Sequence, residues 1–130
     1  MLKLTDSGVC FACGENNPIG LHLQFRMEGV EYITEFTPQA HHQGFEGIVH
    51  GGMLATVLDE VMARNLWVRD IPALTAEMRI TLHHPAYIGE CLLVSGAIAS
   101  ERGRLILCEA RARRTDGTVV ASAQGKFVRV

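Results

Sequence analysis

Hydrophobic and polar positions alternate with two different periods along this chain. Leu21, Leu23, Phe25 and Met27 point one way while His22, Gln24, Arg26 and Glu28 point the other, the period-two pattern of a half-buried strand. Gly29 allows a tight turn, and Glu31 to Phe36 repeats the alternation, so this region predicts a hairpin. Pro38 to Gly47, rich in Gln, His and Gly, predicts a loop. The period then changes. Leu54, Val57, Leu58, Val61, Met62 and Leu66 recur at three- and four-residue steps, which predicts one long amphipathic helix over about 52–68. Asp70 and Pro72 end it, because a proline disfavours helix at the residue before it. Four strand-like runs follow: Ala73 to Leu82, Tyr87 to Ser100, Arg104 to Arg114 and Thr118 to Val130. Pro85, Glu101-Arg102-Gly103 and the hairpin pair Asp116-Gly117 separate them.

Two strands, one helix and four strands make an α+β layer fold, an antiparallel sheet with its apolar face wrapped on a single helix. The 130 residues fit one domain, with residues 1–20 as an irregular lead-in. One helix leaves sheet edges uncovered, which predicts oligomerisation.

Composition narrows the function classes. Hydrophobic residues are 48% and charged residues 20% of the chain, and the formal net charge is -2. This is a globular balance without the clustered positive face that nucleic acid requires. No run approaches the roughly 20 apolar residues of a membrane span. Met1 to Asp6 lacks the apolar core of a signal peptide, so the expected location is the cytoplasm, where disulfides are rare.

Cys10-Phe11-Ala12-Cys13 can be read three ways. A closed zinc site needs four ligands, yet Cys91 and Cys108 stand singly and the six histidines show no second paired spacing. A redox pair wants a strand before it and a helix after it, whereas Gly14 to Gly20 is turn chemistry. A structural role is the preferred reading, with metal and redox as alternatives.

The start of the helix carries candidate chemistry. Its first N–H groups lack internal partners and hold the positive end of the dipole, and His50-Gly51-Gly52 lets a ligand oxygen approach them. Such an end can hold the oxyanion formed when a carbonyl is attacked; a plain tight turn is the alternative. Asp59 lies off the apolar stripe on a small-sided face with Gly52, Ala55, Thr56 and Ala63. There a carboxylate can activate water or attack directly, though the helical wheel alone favours a solvated surface acid. Glu60 falls roughly opposite and reads as an ordinary exposed charge.

Ile48-Val49-His50-Gly51-Gly52-Met53-Leu54-Ala55-Thr56-Val57-Leu58-Asp59-Glu60 resembles the H-G-G-x(6)-D segment of hotdog-fold thioesterases, especially the phenylacetic-acid-pathway (PaaI-like) group. Cys13-Gly14-Glu15-Asn16-Asn17-Pro18-Ile19-Gly20-Leu21 resembles a C-G-x-x-N-P-x-G-L element ahead of the first strand in some members. The resemblance spans nearly the whole chain. It implies that the Gly51 N–H polarises a thioester carbonyl, that His50 shapes the loop, and that Asp59 is nucleophile or base. It also implies that Thr75 helps to place the water. Many relatives carry Asn or Gln before H-G-G; here Gln43 is the nearest candidate, one residue from the aligned position at Gly44, and His42 could substitute. Gly52, Phe45 and Met53 are further candidates for substrate contact, Met62, Leu66 and Trp67 for pocket lining or core. Arg113 and Arg114 are candidates for the phosphates of coenzyme A, as are Arg102, Arg104 and Lys126. Coenzyme A would enter as part of an acyl-CoA or acyl-carrier substrate, and the hydrolysis needs no metal or other cofactor.

Gly51 and Asp59 are eight residues apart, about 12 Å along one helix. A base and an oxyanion donor must both come within about 3 Å of one reacting group. This predicts a two-fold homodimer with sites at its interface, as the resemblance also implies, often paired again into a tetramer. Competing expectations are a non-catalytic acyl-CoA or lipid binder, which has no use for Asp59, and a hotdog dehydratase with D-x(4)-H, which Ala63 and Arg64 after Asp59 disfavour.

Overall fold

Six antiparallel strands lie in the order β1-β2-β4-β5-β6-β3 in the computed structural model, which describes residues 2–130. They are β1 (Phe25–Glu28), β2 (Glu31–Phe36), β3 (Ala73–Leu82), β4 (Leu92–Arg102), β5 (Leu105–Arg113) and β6 (Val119–Arg129), with a single 3-10 turn (Ala40–His42) and one α-helix, α1 (Gly51–Val68), between β2 and β3. The helix begins at Gly51, within a residue of the boundary expected from the period. This is the α+β arrangement read from the pattern, a single helix wrapped by one sheet: the hotdog fold.

The apolar stripe of α1 forms the core. Leu58, Val61 and Met62 are completely buried, against Leu92, Ile106, Val120 and Phe127 of the sheet. Burying each such side chain contributes roughly 1.5–3 kcal/mol. Gly125 on β6 faces the core: a Cβ there would stand 2.7 Å from Phe127 and 3.1 Å from Met62, so a side chain would force both to repack.

The strands differ from expectation at two ends. The first begins at Phe25 rather than Leu21, because the lead-in claims the preceding backbone: Leu21 N–H donates to Phe11 O and Leu23 N–H to Ala12 O. His22 between them takes a left-handed φ of 52°, so the alternation from 21 to 24 is not a strand. Likewise β4 starts at Leu92, since Tyr87 to Glu90 closes a turn through Gly89 at φ 85°.

The two sheet edges are unequal. β1 is four residues long, whereas β3 is ten residues long and pairs only with β6. Most of β3 is exposed, including Leu74 and Leu82. Among the described residues, no helix is long and apolar enough to cross a membrane.

Candidate active site

The loop before α1 is built from backbone bonds. Gln43 and Val49 form an isolated bridge, Gly44 N–H donates to Ile48 O, and His50 N–H donates to His42 O. From behind, Val49 N–H donates to Ala86 O and Ile48 bridges Tyr87. Arg114 holds that supporting segment. Its Nε donates to Glu90 at 2.8 Å, its Nη2 to Pro85 O at 2.6 Å, and its guanidinium lies over the Tyr87 ring. Arg114 is therefore committed to bracing the loop. Arg113 is half-buried with its Nε unpaired among the described residues.

An accounting of the first N–H groups of α1 isolates one donor. Gly52 N–H donates to His50 Nδ1 at 2.8 Å, while Met53 and Leu54 N–H both donate to His50 O. Gly51 N–H alone meets no acceptor among the described residues. A Cβ on Gly52 would sit 2.9 Å from His50 Nδ1, so Gly52 gives room to the capping ring and its own N–H is spent. Because Nδ1 accepts, the neutral His50 ring carries its proton on Nε2, and the residue is exposed.

The acid sits further along the same helix. Thr75 Oγ1 donates to Asp59 Oδ1 at 2.7 Å. The register of β3 on β6 slips between Thr75 and Glu77, and a bulge of this kind re-aims the adjacent side chain. Asp59 is half-buried; burial pushes its carboxyl above the usual aspartate value, and the Thr75 bond pulls part of the way back. The Thr56 hydroxyl on the same face is turned to Gly52 O.

The other candidates separate. Gln43 Oε1 accepts from Gly47 N–H within its own loop. His42 is buried beside Phe36, its Nδ1 accepting from Gln39 N–H, and burial lowers its pKa with help from His41. Phe45 is 87% exposed, Met53 packs against the core, and Met62 and Leu66 belong to the core itself. Trp67 borders a cavity of about 380 Å³ between the lead-in and the helix. Of the outlying cations, Lys126 pairs with Glu77 and Arg104 donates to Arg129 O.

Glu60 is not the exposed charge expected from the wheel. Cys10 Sγ donates to its Oε2 at 3.3 Å and Cys13 Sγ to its Oε1 at 3.8 Å, because the lead-in packs on that side of α1. Burial raises Glu60, the Cys10 bond lowers it, and neighbouring Asp59 raises it. Cys13 is pushed up to about 12, first by burial and then by Glu60. The only hint of this cluster in the sequence is the presence of the C-x-x-C pair itself.

A family model described as the thioesterase superfamily matches residues 46–121, which include the end of the leading loop, the helix and β3 to β5. The chain belongs to the thioesterase superfamily. It is 28% identical over 95 residues to acyl-coenzyme A thioesterase 13 of Mus musculus, covering 71% of this chain and 68% of that protein. The Homo sapiens protein of the same name is 30% identical over 71 residues, and there the match spans about half of the relative's length (51%). Among solved structures, a thioesterase superfamily protein aligns with TM-score 0.85 and 28% identity, over 90% of this chain and 61% of that one. The E. coli PaaI protein from the phenylacetic acid degradation operon shares the fold, with TM-score 0.78 and 18% identity over 85% of this chain and 80% of that one.

Proposed function

We propose that this superfamily member hydrolyses an acyl-CoA or acyl-carrier thioester, with Asp59 as base or nucleophile and the Gly51 N–H polarising the carbonyl. The observation that carries the reading is the half-buried Asp59 held by Thr75 on a helix whose one unspent N–H is that of Gly51. The name of the mouse relative supports coenzyme A as the carrier. In the reaction the Asp59 carboxylate takes a proton from water as that water attacks the carbonyl carbon, or attacks the carbon itself to form a mixed anhydride that water then cleaves. The C–S bond breaks, the thiolate leaves and takes up a proton, and Gly51 steadies the oxyanion. The chemistry asks for no metal or redox group.

The same reading requires two chains, since Gly51 and Asp59 of one helix stand about 12 Å apart along its axis. Two features of β3 favour the pairing. Its outer edge is free and carries exposed Leu74 and Leu82, and an unprotected edge invites a second strand. Gly51 lies beside the far end of β3, where its Cβ would be 3.3 Å from Leu82, while Asp59 is bonded to Thr75 near the start. Two β3 strands paired antiparallel about a two-fold axis would bring the partner's Gly51 towards Asp59 and Thr75. The assembly is a homodimer with two interface sites, which can pair again into a tetramer.

Complementation between inactive chains tests this. Gly51→Pro removes the N–H at the first helical position, where proline is well tolerated; His50 before it already has the extended ψ of 131° that proline demands. Asp59→Asn removes the carboxylate. Each homodimer should lose thiol release from acyl-CoA, by about 10²–10³ for the donor. Mixed and refolded together, half the dimers are hybrids with one intact site in two, so about one quarter of wild-type activity should return. No recovery, with hybrid dimers demonstrated by mass, overturns the shared site. Full activity in both single variants overturns the hydrolytic assignment, and binding of acyl-CoA without turnover by wild type establishes the non-catalytic binder.

A further inference from the structure

We propose that Cys10, Cys13 and Glu60 bind one Zn²⁺ ion, with the fourth coordination position open towards the cavity beside the lead-in. The sequence offers only two ligands in sequence proximity, and the fold delivers the third from α1. One ligand atom from each of the three residues lies within 4.8 Å of the others. A tetrahedral zinc with Zn–S near 2.3 Å and Zn–O near 2.0–2.2 Å requires sulfur and oxygen about 3.5 Å apart. The separations here are 3.3 Å for Cys10 Sγ to Oε2 and 3.8 Å for Cys13 Sγ to Oε1. These distances bracket that value on the two oxygens of one carboxylate, so rotation of the Glu60 carboxylate is enough to offer one oxygen to the ion with both sulfurs.

Charge and surroundings fit as well. Arg64 Nη1 lies 3.5 Å from Cys13 Sγ, placed to donate to the thiolate from outside the coordination sphere, which is how outer groups fix ligand orientation. When Zn²⁺ enters and the two thiol protons leave to solvent, the net charge of Cys10, Cys13, Glu60 and Arg64 is unchanged. The cavity of about 380 Å³ reaches all three ligands and is bordered also by Ala63 and Trp67, leaving space for a water as fourth ligand. Two thiolates select a soft or borderline ion over Mg²⁺ or Ca²⁺. Because Cys10 and Cys13 belong to the lead-in and Glu60 to the helix, the ion would pin one to the other. The site is independent of the thioester chemistry assigned to Asp59.

The test uses the full chain, purified reduced, loaded with Zn²⁺, desalted and analysed for metal by mass spectrometry. About one zinc per chain is expected, with Cys13→Ser and Glu60→Gln each weakening binding at least about tenfold. Cys91→Ser, on a thiol away from the cluster, should bind as wild type does. Replacing zinc by Co²⁺ should give a thiolate-to-cobalt charge-transfer band, and zinc should shield two of the four thiols from alkylation until a chelator is added. These last readouts need only wild-type protein, so a variant that misfolds does not decide the matter. Wild type that retains no zinc, a cobalt spectrum without the thiolate band, or equal retention by folded Cys13→Ser and Cys91→Ser overturns the site.

Discussion

Asp59 and Glu60 follow one another on α1, yet they face different parts of the molecule. Asp59 turns to the edge strand, where a threonine hydroxyl is its one hydrogen-bond partner among the described residues. Glu60 turns to the lead-in, where two thiols bond to its carboxylate and Arg64 stands nearby. Burial raises both carboxyls, so protonation behaviour alone does not distinguish them. Their company does. Asp59 keeps its second oxygen without a hydrogen-bond partner among the described residues, which suits an acid that must meet a substrate, whereas both oxygens of Glu60 are engaged. An acid's role on a helix is set by what docks beside it.

The largest expected effect separates the two neighbours directly. Asp59→Asn keeps the shape and removes the general base, so kcat for thioester hydrolysis should fall by about 10²–10⁴. Glu60→Gln should lower it less than tenfold while changing zinc retention and the attachment of the lead-in. Steady-state thiol release beside metal content decides it. Were the two activities to fall equally, Asp59 would have no special claim to the chemistry.

How far the sequence foretold this contrast varies with the element. The three- and four-residue spacing from Leu54 to Leu66 located α1 to within a residue, because its stripe is buried on one continuous face. Period two located β5 and β6 nearly as well. It failed from Leu21 to Gln24, where alternating side chains coincide with a backbone already bonded to the lead-in. The half-buried place of Asp59 off the apolar stripe agrees with the small residues around it on the wheel. The place of Glu60 was not legible, since a helical wheel has no knowledge of a segment arriving from fifty residues away. The bulge that turns Thr75 onto Asp59 was equally hidden, being a property of the β3–β6 register rather than of either strand. The bond of Arg114 to Glu90 was hidden because the two are distant in sequence.

Thr75 gives an intermediate effect. A hydrogen bond to a charged group contributes about 1.5–3 kcal/mol, equivalent to roughly ten- to a hundredfold in rate. Thr75→Val should lower kcat by about that factor with little change in KM, and Thr75→Ser should restore most of it. If valine kept activity and serine lost it, the methyl group's packing rather than the hydroxyl would be what Asp59 needs.

The smallest effect lies in stability. Burial raises the folded-state value of Asp59 above that of the unfolded chain, so folding favours the protonated acid. The associated stabilisation is fully present below the ordinary aspartate value and is lost as pH rises through the folded value. At neutral pH the desolvated carboxylate is therefore a cost that Asp59→Asn removes. That variant should melt a few degrees above wild type at pH 7, and the gain should vanish once the pH falls below the ordinary aspartate range. Activity should move the other way, because only the carboxylate can act as base, so kcat/KM should rise with pH through an inflection above that range. Glu60→Gln should gain less, since it gives up its bonds to Cys10 and Cys13 along with the charge. Thermal melts of both variants across pH provide the check: a pH-independent difference at Asp59 would mean that its burial carries no electrostatic cost, and an equal gain at Glu60 would mean that the lead-in contributes nothing to holding its acid.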